Sequence, residues 1–227
     1  MDCRREGLGH VFWLGGSACA GKTHIAKRLA RQRDLAVYHC DDHFADHRAR
    51  ADPRQHPGFH RLMERSGEAL FAPPPAQQVD ELRAFYEDEL GMVRQDLTGF
   101  DTDDDTALGL LPVLVEGAGL LPAKIARWIP SPNQALWLVS TADFRRRHRP
   151  QSGPQVAELL SDCRDPQAAY RRWMARDELY AEWLSGEVRR IGGRVLRVDG
   201  SSSLEETIDR IASGLGLGQS RPQGPAT

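Results

Sequence analysis

The residues of this chain best suited to chemistry stand between Gly16 and Thr23, in the stretch GSACAGKT. Two glycines separated by four residues, then Lys22 and Thr23, give G-x-x-x-x-G-K-[ST], a spacing suited to holding polyphosphate. Glycines let the backbone curl so that successive N–H groups face phosphate oxygens, and the next helix adds its positive N-terminal end. The pattern assigns Gly16, Ser17, Ala18, Cys19, Ala20, Gly21, Lys22, Thr23 and His24 to nucleotide binding. Lys22 is expected against the β- and γ-phosphates, and the Thr23 hydroxyl on Mg²⁺. Such a loop needs a strand before it and a helix after it. Both are written here: an apolar run covers Val11 to Leu14, and Ile25, Leu29 and Ala30 share one helical face with Lys27, Arg28 and Arg31 off it.

Further reactive groups follow other apolar runs. The stretch 35–40 (LAVYHC) ends at Asp41 and Asp42, and 112–117 (PVLVEG) ends at Glu116 and Gly117. Alternating strand and helix patterns imply a parallel sheet with helices on its faces, and ligands of such sheets gather beyond the carboxyl ends of the strands. Phosphoryl transfer needs a phosphate cradle, Mg²⁺, a base near the acceptor hydroxyl and cations around the migrating group. Asp41 is placed to take a hydroxyl proton or to meet Mg²⁺ through water. Glu116 suits a Mg²⁺–water contact or a substrate contact. The run FRRRHR, after a fourth strand at 135–140, predicts a lid over about 143–165 with Arg145 and Arg149 reaching the phosphates.

The segments between these groups are less specific. Residues 43–57 read as polar and irregular, with a short helix over 60–71 and a longer one over 77–97. The longer one carries Val79, Leu82, Tyr86, Leu90, Val93 and Leu97 as one apolar stripe. The region 43–110 is expected to hold the phosphoryl acceptor. Its histidines (His43, His47, His56, His60) and its arginines, Arg48 and Arg50 among them, read either as a positive pocket for a phosphate- or carboxylate-bearing substrate or as solvated surface. Asp101, Asp103, Asp104 and Asp105 form an acidic turn that reads as solvated rather than as a metal site. A long helix over 166–191 carries Trp173, Tyr180 and Trp183, a strand covers 194–199, and Ser203 with Glu206 resembles a capping box for a helix over 204–215. The tail 216–227 is expected to fray.

Composition limits the alternatives. The 227 residues fit one domain over 1–215, and a net charge of −2 offers no general attraction to nucleic acid or anionic membrane. Four scattered cysteines without metal-ligand spacing suit a reducing compartment, and no run approaches the length of a membrane span, so a cytoplasmic monomer or homodimer is expected.

Taken together, these residues resemble the nucleoside and nucleotide kinase branch of phosphate-loop proteins, the group that includes uridine, nicotinamide riboside, shikimate and adenylate kinases. The resemblance rests on the phosphate loop, on CDDHF after the second strand, on VEG after the third and on FRRRHR after the fourth. It implies a five-stranded sheet in the order 2-3-1-4-5, Asp41 as catalytic base, an arginine lid, and a loop at Asp199, Gly200 and Ser201 bordering adenine. It also implies ATP and Mg²⁺ as cofactors and transfer to a hydroxyl or phosphate of a small molecule. The alternative is an ATP-binding protein that sequesters a ligand without transferring phosphate.

Overall fold

Five short apolar runs pair side by side as parallel strands, in the order β2-β3-β1-β4-β5. The computed structural model describes residues 8–99, 111–149 and 153–218. The strands are β1 (Val11–Gly16), β2 (Ala36–His39), β3 (Val113–Glu116), β4 (Ala135–Ser140) and β5 (Val195–Val198). Side chains alternate across the sheet. Trp13, Val113, Val115 and Trp137 face the helices Pro75–Gly99 and Pro166–Arg190, while Leu14, Leu114, Leu136 and Leu138 face α1 (Lys22–Arg33) and Leu204–Gly214. Because β1, β3 and β4 are covered on both faces, they read as continuous apolar runs rather than alternating ones. The result is the three-layer α/β fold and strand order that the resemblance implied.

Register decides what the fold positions. Leu14 and His39 both stand beside Glu116, and Gly16 stands beside Leu138. The ends of β2 and β3 and the start of the phosphate loop therefore meet at one edge of the sheet.

The acceptor region is more ordered than its composition suggested. A turn of 3₁₀ helix at Cys40–His43 leads into the helix Phe44–Arg50, which ends ahead of Pro53, where the residue before proline resists helical geometry. The helix expected over 60–71 is instead two, Pro57–Met63 and Glu68–Phe71, parted at Gly67. Gly67 has φ +50°, and a Cβ there would come within 2.9 Å of the Asp162 side chain. Proline opens both long helices at a position where a missing N–H costs nothing. Trp173 packs on Phe71 and Trp183 on Tyr180 with Arg83 over its ring. The acidic turn at 101–105 and the tail from 219 lie outside the described residues. Among the described residues, no helix is long and apolar enough to cross a membrane.

A buried polar node ties this region to the sheet. His47, with no exposed surface, has Nε2 2.9 Å from Asp96 Oδ2, and Tyr38 and Arg50 bond the same carboxylate. Burial pushes the Asp96 pKa up, but the bonds from His47, Tyr38 and Arg50 outweigh it and hold the group at about 2. Burial pulls His47 down, yet Asp96 and Glu89 more than offset this and its pKa is raised. The signs are opposite. The Asp96 contribution is present above the ordinary carboxylate range and lost in acid, whereas that of His47 is present in acid and lost as pH rises through its raised pKa. Denaturant titrations should therefore show about 2 kcal/mol of stability lost on acidification below about pH 5 through Asp96, and Asp96→Asn should flatten that slope. An unchanged acid slope in the variant would remove Asp96 from this role.

Candidate functional site

The phosphate loop is built by close backbone approach. Gly16 has φ +147°, and a Cβ there would stand 2.1 Å from the Leu138 carbonyl oxygen, so only glycine lets the chain leave β1 against β4. The next residue, Ser17, is buried. Its N–H donates to Leu138 O at 2.9 Å, its Oγ accepts from the Ser140 N–H at 2.9 Å, and Ser140 Oγ donates to Ala18 O at 2.8 Å. Left-handed conformations at Cys19 (φ +57°) and Gly21 (φ +78°) then turn the chain into α1. Turns of this kind gather N–H groups on one concavity.

Beyond that concavity stands a chain of polar contacts. Lys22 Nζ donates to Ser17 O at 2.9 Å. Burial lowers the Lys22 pKa, against the opposing pull of the Glu116 and Asp41 carboxylates. The Thr23 hydroxyl donates to Glu116 Oε1 at 2.9 Å, and His39 Nδ1 pairs with the same oxygen at 2.8 Å. Glu116 is itself only 3% exposed. Asp41 follows β2 at the mouth of the site. Lost hydration raises its pKa, the Glu116 and Asp42 carboxylates raise it further, and Lys22 pulls the other way. A hydroxyl beside one buried carboxylate and a second carboxylate nearby is an all-oxygen set. It fits a hard cation that takes its remaining ligands from phosphates and water. Among the described residues, no group of three or more His, Cys, Asp or Glu forms a metal cage.

The opposite wall comes from the helix Pro166–Arg190. Trp173, Arg176, Asp177 and Tyr180 recur at three- and four-residue steps on one face. Asp177 is buried and holds two arginines: Oδ2 accepts from Arg149 Nη1 at 2.6 Å, and Oδ1 from Arg176 Nη2 at 2.7 Å. The Arg149 guanidinium lies 4.7 Å from the Trp173 ring centre, and its carbonyl accepts from the Tyr170 hydroxyl at 2.7 Å. Both guanidiniums are thereby aimed rather than free.

Between these walls lies a cleft of about 540 Å³. Ala18 through His24, Asp41, Glu116, Gly117 and Arg149 line it, with Leu82, Tyr86, Trp173, Arg176, Asp177 and Tyr180. Gly16 and Ser17 are buried beneath the loop and shape it from below. The other expected residues lie elsewhere. Arg145, 2% exposed, is folded onto the end of β4, donating to Ser140 O at 2.9 Å. It and Arg149 are four residues apart, but the helix Ala142–His148 stops before Arg149, so the two do not share a face. Asp42 and Arg48 are exposed and do not line the cleft. Arg50 is committed to Asp96 and to Met92 O, at 3.2 Å from the latter. Asp199, Gly200 and Ser201 pack beside the helix Ala142–His148, where Arg147 donates to Asp199 O at 3.2 Å and Phe144 borders Gly200.

Arg176 and Asp177 were not singled out from the sequence. The signal was a charged pair placed on the apolar face set by Trp173 and Tyr180, which a count of apolar positions passes over.

No family model and no curated protein sequence matches the chain. Among solved structures it is similar to a sugar kinase from Janibacter sp., at 14% identity and TM-score 0.39 over 91% of this chain and 94% of that one. It is also similar to a shikimate kinase from Aquifex aeolicus, at 15% identity and TM-score 0.36 over 91% and 96%. A gluconokinase from Sinorhizobium meliloti gives 16% identity and TM-score 0.34 over 93% and 94%. At these values the likenesses carry no argument about activity.

Asp177→Asn would leave two guanidiniums side by side without their counter-ion. The expected loss is about 3 kcal/mol of unfolding free energy, read from the urea midpoint, with much of it recovered when Arg176→Gln is added. Wild-type stability in the single variant would mean that Asp177 does not hold the pair.

Proposed function

We propose that this chain is an ATP-dependent phosphotransferase that moves the γ-phosphoryl group of ATP to a hydroxyl of a small molecule. One observation carries the reading. The phosphate loop, the Thr23–Glu116 pair, Asp41 and the two arginines held by Asp177 all open on a single cleft. A binding protein needs the loop; a carboxylate at the mouth and a cationic wall facing the loop add what transfer requires.

In this reading the loop N–H groups and Lys22 hold the β- and γ-phosphates, and Arg149 and Arg176 face the migrating group from across the cleft. Thr23 and Glu116 are the residues that would hold Mg²⁺, which when bound would neutralise phosphate charge and leave Asp41 as the base. The acceptor oxygen attacks the γ-phosphorus and forms the new O–P bond. The bond from the γ-phosphorus to the bridging oxygen breaks, its electrons leave with ADP, and the hydroxyl proton passes to the Asp41 carboxylate. A base with a raised pKa suits that transfer, since a weakly basic carboxylate gives little driving force. Burial lowers the Lys22 pKa, and the Glu116 and Asp41 carboxylates, joined by the bound phosphates in this reading, favour its charged form.

Two variants test this with ATP, Mg²⁺ and an acceptor found by mass spectrometry as a species gaining about 80 Da (one phosphoryl group). Lys22→Ala and Asp41→Asn should each lower turnover by about 10²- to 10⁴-fold with the fold intact by circular dichroism. Near-normal turnover in Asp41→Asn would remove Asp41 as base. Ligand depletion without a phosphorylated product would favour sequestration. The pH profile has a fixed sign: the active form is the carboxylate, so turnover should fall on acidification through a pKa above the ordinary carboxylate range, and that limb should be absent in Asp41→Asn.

A further inference from the structure

The charges of the cleft say which kind of acceptor it takes, if the transfer reading above holds. Three cationic side chains line it, Lys22, Arg149 and Arg176, against three carboxylates, Asp41, Glu116 and Asp177. Lys22 belongs to the loop, and both arginines are bonded to Asp177, which offsets part of their charge. A nucleoside triphosphate with its Mg²⁺ brings net negative charge, so the lining turns negative once the donor is seated. Among the described residues, no other lysine or arginine lines the wall on which an acceptor would lie, formed by Leu82, Tyr86 and Tyr180 beside Asp41, where Arg176 on the Tyr180 helix is already bonded to Asp177.

Behind that wall is another carboxylate. Glu89 is buried, one helical turn beyond Tyr86, and its Oε2 would stand 3.1 Å from a Cβ at Gly119, just past the cleft-lining Gly117 and Ala118. Its ionic neighbour is His47 Nδ1 at 4.0 Å, a histidine that Asp96 shares through Nε2. Glu89, Glu116 and Asp41 act together on the buried Cys40 thiol, which burial first and then these three charges push well up. The arginines of the acceptor region do not balance them. Arg50 is bound to Asp96, Arg65 to Glu81, and neither lines the cleft. A phosphate or carboxylate placed here would meet like charge in a partly desolvated site, a costly arrangement.

We infer that the phosphoryl acceptor is a neutral or positively charged hydroxyl compound, seated on Leu82, Tyr86 and Tyr180 with its hydroxyl toward Asp41, and not one bearing a phosphate or carboxylate. The apolar and aromatic surface takes the body of the acceptor, and the carboxylates accept its hydroxyl or ammonium hydrogens. This replaces the positive pocket that the arginine-rich stretch suggested.

The test uses the full chain with ATP labelled at the γ-phosphoryl group and Mg²⁺, incubated with a metabolite extract separated by ion exchange into cationic, neutral and anionic pools. Label is expected in products from the neutral or cationic pool. Products arising from the anionic pool alone would overturn the inference. If no pool yields a labelled product, the transfer reading is what fails, and a second measurement judges the acceptor class separately. Equilibrium dialysis of the same pools, against protein saturated with a non-hydrolysable ATP analogue, should retain neutral or cationic solutes. Retention of anionic solutes only, or of none, would overturn it.

Discussion

One buried carboxylate holds the working edge of this molecule together. Glu116 ends β3 at 3% exposure, where an unpaired charge would be severely unfavourable, so its oxygen must be hydrogen-bonded. It is bonded on two sides: Thr23 reaches it from the first turn of α1, and His39 from the end of β2. The phosphate loop, the second strand and the third are thereby fixed to one another at a single oxygen atom. Parallel register makes this possible, because His39 and Leu14 both stand level with Glu116.

The far side of the cleft repeats the device with the signs exchanged. Asp177 is the buried anion there, and the groups it collects are two guanidiniums that line the cleft. Arginine suits this better than lysine, since a planar fork can bond a carboxylate, lie on the Trp173 ring and still present donors. Under the proposed transfer, the cost of aiming these cations is met during folding rather than at the moment of reaction, which is how preorganised charge lowers a barrier. Helix geometry supplies the spacing: Trp173, Arg176, Asp177 and Tyr180 share a face, so stacking, charge and apolar wall come from little more than two turns.

The acceptor region has its own anchor, and this explains the histidines and arginines crowded there. His47 and Arg50 both serve Asp96, and the Tyr38 ring, which packs on His43 at 4.0 Å between centres, extends the node to the sheet. His56 and His60 are likewise committed to backbone, accepting from Asp52 N at 3.0 Å and pairing with Ala51 O at 2.9 Å. His47, Arg50, His56 and His60 are thus each bonded within this region, and none of them lines the cleft.

Much of the fold was legible, because hydrophobic periodicity and strand-ending motifs report burial directly. The five strands, the long helices and the capped helix Leu204–Gly214 stand within a few residues of where the pattern put them. The loop residues Ala18 to His24, with Asp41, Glu116, Gly117 and Arg149, are brought to one cleft as their places at strand and helix ends implied. What the chain alone determined is this set of local types: a phosphate cradle, carboxylates after two strands, and a cluster of cations after a fourth. What tertiary structure decided is which charges are free to act. Arg145 and Arg149 are alike in sequence, yet one is buried against Ser140 and the other faces the cleft. Arg176 and Asp177, unremarked within a long helix, form the opposite wall. A charge's role depends on its nearest counter-charge and on its access to water, and both are set by residues far away along the chain.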